Sequence, residues 1–284
     1  MFISPHQYFR LQESRPRKRF GQNFLAQPAT AERIVECAGI APDDVAVEIG
    51  PGLGALTQFI LTKARRLHLI EIDRDLAAYL EANAPAGPCE IRMHPQDVMQ
   101  FNFRSLAEEE GQRLILLGNL PYNISSPLLF HLVEALPAIR RGVFMVQKEV
   151  GERFAAPPGG KEYGVLSVLL GVCAHVEQLF DVGPAQFYPA PKVDSTVLRI
   201  DFAEALPPEA PDLSFLRKVV NTAFQQRRKT LRNSLKALGG VELALLDRAF
   251  SELGIDPGRR PETLSPEEFM NLAKLLKPCK SHSE

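Results

Sequence analysis

The 284-residue sequence predicts an α/β protein: a doubly wound, mostly parallel sheet followed by a small all-α domain. Three features carry this expectation. Short apolar runs alternate with segments of helical period through the first two thirds of the chain. A glycine-rich turn, Gly50 to Gly54, lies directly between the first such run and a helical one, as in the opening unit of a doubly wound sheet. Beyond residue 205 the alternation stops and the patterns are helical only. The expected domains are therefore 1–205, with residues 1–15 flexible, and 206–284.

Composition is consistent with this. A chain with 45% hydrophobic residues and a net charge of −1 can bury a real core. No apolar run is long enough to cross a bilayer, and the N-terminus lacks the apolar core of a secretory signal. The cysteines, Cys37, Cys89, Cys173 and Cys279, are widely spaced without a CxxC pair. They read as reduced thiols in a cytoplasmic protein, with no zinc or other metal site. Near-neutral total charge does not point to nucleic acid; the distribution of the charge does.

Taken in order, the chain opens with a basic cluster that includes Arg17, Lys18 and Arg19 and runs into the aromatic-amide segment FGQNFL. Alone, such a cluster reads as a solvated terminus; beside the basic face further along the chain, Arg17, Lys18 and Arg19 are also expected to bind RNA. Asn23 and Leu25 precede a helix expected over Ala29–Ala38. Val45–Ile49 is a strand, the turn Gly50-Pro51-Gly52-Leu53-Gly54 follows, and Ala55–Leu61 is apolar-periodic. Glycines permit the tight turn and a close approach of ligand to backbone. The next strand, Leu67–Ile72, carries Glu71 about 20 residues past the turn, where such folds hold ribose hydroxyls. The glycine spacing is GxGxG, not the dinucleotide GxGxxG, which favours a nucleoside without a pyrophosphate. S-adenosylmethionine is the expected cofactor.

A helix over Leu76–Ala84 and a strand near Glu90–Met93 follow, and Asp97 lies just past that strand. Its carboxylate suits an adenine amine, or the cap of a turn. The stretch LILLGNLPYNISSP, Leu114–Pro127, is the centre of the reading. Leu114–Leu117 is a short buried strand, ended by Gly118. Pro121 fixes its own φ and biases Leu120 away from the helical region, so the corner that follows is stiff. The Asn119 amide oxygen and the Leu120 carbonyl are acceptors, and Tyr122 is a flat face. Two acceptors and a platform suit a planar ring bearing an amino group, such as adenine. An Asn in an ordinary proline turn is the plainer alternative.

A helix over Pro127–Leu136 and a strand over Gly142–Val146 complete another unit. After the breaker AAPPGG, Ala155–Gly160, and the apolar run Val165–Leu170, two strand-like runs, Val176–Val182 and Ser195–Phe202, flank a proline-rich loop, as in a hairpin at the edge of a mixed sheet. Phe187 in that loop is either core packing or a stacking platform, and packing is the reading its own residues favour. Ala205–Asp212 reads as a linker. Beyond it, Leu216, Val220, Ala223, Phe224, Leu231 and Leu235 form one apolar stripe at helical spacing. Arg228, Lys229, Arg232 and Lys236 fall on an adjacent face with no acidic residue from Phe224 to Lys236, the footprint of a phosphate-facing surface. Helices over Leu243–Leu253 and Ser265–Leu276 end the pattern.

The segments KRFGQNFL, VEIGPGLGALT, IEIDRDL, GNLPYNISSPL, QKEV, FYPAPKVDS and FQQRRKTLRNSLK, in this order over nearly the whole chain, resemble the KsgA family of bacterial small-subunit ribosomal RNA adenine dimethyltransferases. The resemblance implies a class I, Rossmann-like methyltransferase domain with a seven-stranded sheet, and a small helical C-terminal domain. It implies N6,N6-dimethylation of two adjacent adenosines in the 3′-terminal hairpin loop of 16S rRNA, within the immature 30S subunit. It implies use of S-adenosylmethionine, with S-adenosylhomocysteine as product. On these residues the family's cofactor contacts fall on Asn23, Leu25, Gly50, Glu71, Asp97 and Asn119. The target adenine falls to Asn119, Leu120 and Tyr122, with Phe187 stacking on its other face. A monomer with no membrane partner is expected. Three alternatives stand beside this reading: an erythromycin-resistance methylase of large-subunit rRNA, an assembly factor that acts mainly by binding, and a nicotinamide-dependent oxidoreductase. Glycine spacing disfavours the last.

Overall fold

A computed structural model describes residues 2–17, 20–207 and 210–277. The chain groups into two compact units, residues 1–151 with 175–204, and residues 152–174 with 205–284.

The first unit is built on β2 (Val45–Ile49), β3 (Arg66–Ile70), β4 (Glu90–His94), β5 (Leu114–Asn119), β6 (Ile139–Gln147), β7 (Ala174–Val182) and β9 (Ser195–Phe202). They form a seven-stranded sheet in the order β4-β3-β2-β5-β6-β9-β7. β2 runs parallel to β3 and β5, and β5 parallel to β6, whereas β9 is antiparallel to β6. Helices α2 (Pro28–Ala38), α3 (Thr57–Ile60), α4 (Arg74–Asn83), α5 (Phe103–Glu110) and α6 (Ser125–Glu134) connect or flank the parallel strands. The central strands are buried on both faces because helices cover both: VAVEI and LILLG are buried throughout, Glu48 being the one charged residue among them. Strand order reverses between β2 and β5, and there the carboxyl ends of the two strands leave a crevice.

The expected hairpin is present in the sense that β7 and β9 are sheet neighbours. Its loop also contributes β8 (Phe187–Tyr188), which pairs antiparallel with β1 (Phe24–Leu25), setting Leu25 opposite Phe187. Helices absent from the sequence expectation include one at the N-terminus and one between β4 and β5. The N-terminus, read as flexible, folds as α1 (Pro5–Leu11) with a full capping box from Ser4 and Gln7. α5 is bracketed by the Asn102 side chain at its start and a left-handed Gly111 at its end.

The second unit is helical and not one continuous segment. It takes in α8 (Val165–Cys173) as well as α9 (Leu213–Phe224), α10 (Leu231–Leu235), α11 (Leu243–Leu253) and α12 (Pro266–Leu276). α12 packs on α8, α9 and α11. α8 is apolar nearly all round, so it needs helices on several sides, which explains its grouping with this unit. α7 (Lys148–Phe154) carries the chain from β6 towards it. Among the described residues, no helix is long and apolar enough to cross a membrane.

Candidate active site

A cavity of about 510 Å3 opens at the carboxyl ends of β2, β3 and β5. Asn23, Leu25, Gly50, Glu71, Asp97 and Asn119, the six expected cofactor residues, all line it, and so do Leu120 and Tyr122. Gly50, Gly52 and Gly54 all have positive φ (64°, 58° and 84°), so the turn after β2 coils tightly enough to leave its backbone facing the cavity.

Two carboxylates stand across from that turn. Glu71 is 5% exposed; its Oε2 accepts the Gly52 N–H at 3.1 Å and its Oε1 the Asp73 N–H at 2.9 Å. One side chain thus ties the glycine turn to the loop after β3. Burial pushes the Glu71 carboxyl above the usual carboxylate range, and the backbone donors oppose that shift. Asp97 caps a single 3₁₀ turn, Val98–Gln100, accepting the Met99 N–H at 2.9 Å, while also lining the cavity. The two readings of Asp97 describe one residue.

The corner after β5 is organised by donors and acceptors that use up one end of each group. Asn119 Nδ2 donates to the Asn23 carbonyl at 2.8 Å, which leaves Oδ1 as the acceptor end of the amide. The Leu120 N–H donates to the Met145 carbonyl at 3.0 Å, and its side chain is buried. The half-buried Tyr122 phenol is hydrogen-bonded to the buried Ser195 hydroxyl at 3.2 Å, which fixes the ring from its far end. Ser195 belongs to the VDS segment and was not singled out from the sequence.

Glu48 is a second residue the sequence reading passed over. It lines the cavity, is 1% exposed and accepts the Thr57 hydroxyl at 2.6 Å. Burial pushes its carboxyl up to about 8. The folded chain then keeps a proton that an unfolded chain, titrating near 4.5, has released. Stability from this group is complete below that lower value and is lost as pH rises towards the upper one. Relative to Glu48→Gln, the wild-type protein should lose up to about 4 kcal/mol between roughly pH 5 and pH 8. Thermal melts across that window check this. Parallel curves for the two proteins would mean that Glu48 is already ionised in the folded state.

Not every expected residue reaches the cavity. Phe187, expected as a stacking partner, is 6% exposed and sits in the hydrophobic core with Leu25, Ala31 and Met145 instead of lining the cavity. It is paired with Leu25 in the β1–β8 ribbon. Arg17, expected on RNA, is held in ion pairs with Asp73 at 2.6 Å and with Asp75. Lys18 and Arg19 lie outside the described residues.

In the second unit the expected continuous basic helix is broken. α9 ends at Phe224, residues 225–229 form turns, and the Thr230 side chain caps α10. Arg228 and Lys229 are exposed in those turns, and Lys236 is exposed after α10. Arg232 makes a two-pronged ion pair with Asp247 at 2.6 and 2.7 Å, so its charge is already matched.

A seven-stranded sheet whose order reverses at β2/β5, with β9 antiparallel beside β6 and a cavity at the reversal, has the architecture of the class I methyltransferase fold. The family model described as ribosomal RNA adenine dimethylase matches residues 13–278, and the chain belongs to that family. It is 47% identical over 263 residues to ribosomal RNA small subunit methyltransferase A of Methylococcus capsulatus, covering 93% of this chain and 98% of that one. The protein of the same name from Syntrophotalea carbinolica is 47% identical over 268 residues, with coverage of 93% and 98%. Among solved structures, a dimethyladenosine transferase from Plasmodium falciparum shares the fold with a TM-score of 0.75 at 23% identity, covering 88% of this chain and 95% of that one. The 23S rRNA methyltransferase ErmE shares it with a TM-score of 0.64, also at 23% identity, covering 90% and 100%. The chain is an S-adenosylmethionine-dependent adenine dimethyltransferase of ribosomal RNA.

Proposed function

We propose that this enzyme, acting as a monomer in the cytoplasm, dimethylates N6 of two adjacent adenosines in the 3′-terminal hairpin loop of 16S rRNA, within the immature 30S subunit. The small-subunit target follows the names of the relatives that are 47% identical to it. The observation that carries the chemistry is the corner at Asn119, where the Asn23 carbonyl occupies the amide's donor end and leaves its acceptor end for an amine.

The residues present fit the cofactor. Glu71 and Asp97 offer acceptors for hydroxyls and an amine, and the glycine turn offers backbone at close range. S-adenosylmethionine supplies an electrophilic methyl group on a sulfonium. The remaining work belongs to this chain. The target adenine leaves its stack, as chemistry on a base requires. Tyr122 holds one face of the ring, with its own orientation set by Ser195. Asn119 Oδ1 and the Leu120 carbonyl accept the two amine hydrogens, which turns the nitrogen lone pair out of conjugation. The amine attacks while neutral, so no general base is needed beforehand, and the proton leaves to water afterwards. Catalysis is then mainly positioning. Because the base is methylated twice, the corner must also accept an amine that retains a single hydrogen.

Substrate choice is tested by offering labelled cofactor with unmethylated small subunits, large subunits and naked RNA in parallel. Label in the small subunit alone is expected; label in the large subunit alone would overturn the assignment. The exposed turn bearing Arg228 and Lys229 is the part of the expected basic surface best placed for phosphate. Arg228→Glu with Lys229→Glu should weaken RNA binding and flatten its log–log salt slope by about 1 to 2, with cofactor affinity unchanged. A slope equal to that of the wild type would make this turn merely solvated.

A further inference from the structure

We propose that the segment Phe2–Leu11, which lies ahead of the family match at residue 13, is a wall of the cofactor cavity and holds bound cofactor in place. This rests on the reading of the cavity as the cofactor site. Phe2, Ile3, Ser4 and Pro5 all line that cavity. The Phe2 ring lies against the glycine turn: a Cβ on Gly54 would come within 2.8 Å of it. The Ile3 N–H donates to the Tyr79 phenol on α4 at 3.1 Å. Behind these contacts Tyr8 and Phe9 are buried in an aromatic cluster. Tyr8 meets Tyr79 at 4.9 Å between centroids, and Phe9 meets Phe24 at 5.3 Å.

A second anchor lies beyond the segment, at Arg17 and Gln22. Arg17 pairs with Asp73 and Asp75, and Gln22 Nε2 donates to Asp73 Oδ2 at 3.1 Å. The Asp73 N–H in turn donates to Glu71 at 2.9 Å. The arm is therefore held against the glycine turn at its start, and the chain that follows it is held to the loop that presents Glu71. Arg17, expected on RNA, belongs to this latch.

A helix of seven residues is marginal by itself, so the order of α1 depends on what it packs against. A ligand that touches the docked arm adds contacts to the docked state alone. Linkage then makes the effect mutual: ligand tightens the arm, and the arm tightens the ligand by the same factor. The arm is not needed to build the sheet. Its removal should act on affinity and on release.

The test uses the full chain and S-adenosylhomocysteine as probe, with affinity read by calorimetry. Deleting residues 2–11 should weaken binding at least about tenfold, and Phe2→Ala, a milder variant, about three- to tenfold. Tryptic cleavage after the exposed Arg10 of the wild-type protein should slow when the probe is saturating. Glu71→Ala serves as the control on the site itself. Weak binding by Glu71→Ala, with wild-type affinity in both arm variants and unchanged cleavage, would overturn the proposal and leave the site intact. Wild-type affinity in Glu71→Ala would remove the cavity reading, and the proposal with it.

Discussion

Asn119→Ala should lower kcat/KM for methyl transfer by about 10³-fold, comparable to removing an oriented group from a preorganised site. The loss should fall on kcat. The amide does two things that alanine cannot: its nitrogen is held by the Asn23 carbonyl at 2.8 Å, and its oxygen is thereby presented as an acceptor. Asn119→Asp is the sharper variant. It keeps an acceptor but sets a carboxylate oxygen against the Asn23 carbonyl, so the side chain must rotate away. We expect nearly the same loss. Cofactor affinity should fall by less than tenfold in either variant, because Glu71, Asp97 and the glycine turn remain. Steady-state kinetics alongside equilibrium binding separate the two effects. Turnover near the wild-type rate in Asn119→Ala would leave the corner without a role in transfer.

The second large effect is expected at Glu71. Glu71→Ala should weaken cofactor binding by about 10²-fold or more, as hydrogen bonds to a charged group contribute about 1.5–3 kcal/mol each. Its position makes the estimate larger than hydroxyl contacts alone would give. Glu71 accepts from Gly52 and Asp73, so its loss also frees the glycine turn and the β3 loop from each other. Glu71→Gln is no rescue, since its amide nitrogen would face one of those two N–H donors. Calorimetry with S-adenosylhomocysteine reads this directly, and an affinity within twofold of the wild type would contradict it.

The cavity wall formed by the glycine turn and Glu71 was legible because its signals are local. A strand, three glycines and a carboxylate about 20 residues on are held in place by the sheet, and β2 runs over Val45–Ile49 as expected. The Asn119 corner was legible for the same reason: Pro121 stiffens the backbone wherever the chain sits. What was missed depends on distant partners. The ion-pair partners of Arg17 lie 56 and 58 residues away, so nothing near Arg17 announces these contacts. The β1–β8 pairing that sets Phe187 opposite Leu25 spans more than 160 residues, whereas the burial of Phe187 agrees with the packing its own residues favour. The Tyr122–Ser195 bond spans 73 residues.

Two other differences carry local signals in the sequence. Ser4, Pro5 and Gln7 spell out a capping box, and Asn102 and Gly111 bracket α5. The broken basic helix is subtler. Leu216, Val220, Ala223, Leu231 and Leu235 are all buried, so the apolar stripe is real. Two helices sharing one core keep nearly the spacing of a single helix, and only Thr230 as an N-cap marks the break.

The central claim is that the Asn119 corner presents adenosine N6 for two successive methyl transfers. Its most direct test is nucleoside mass spectrometry of unmethylated small subunits incubated with S-adenosylmethionine and the wild-type protein. The account predicts N6,N6-dimethyladenosine at two adjacent positions of the 3′-terminal hairpin loop, and none with Asn119→Ala under the same conditions. Methyl groups on another base, or at a ring nitrogen in place of N6, would contradict it.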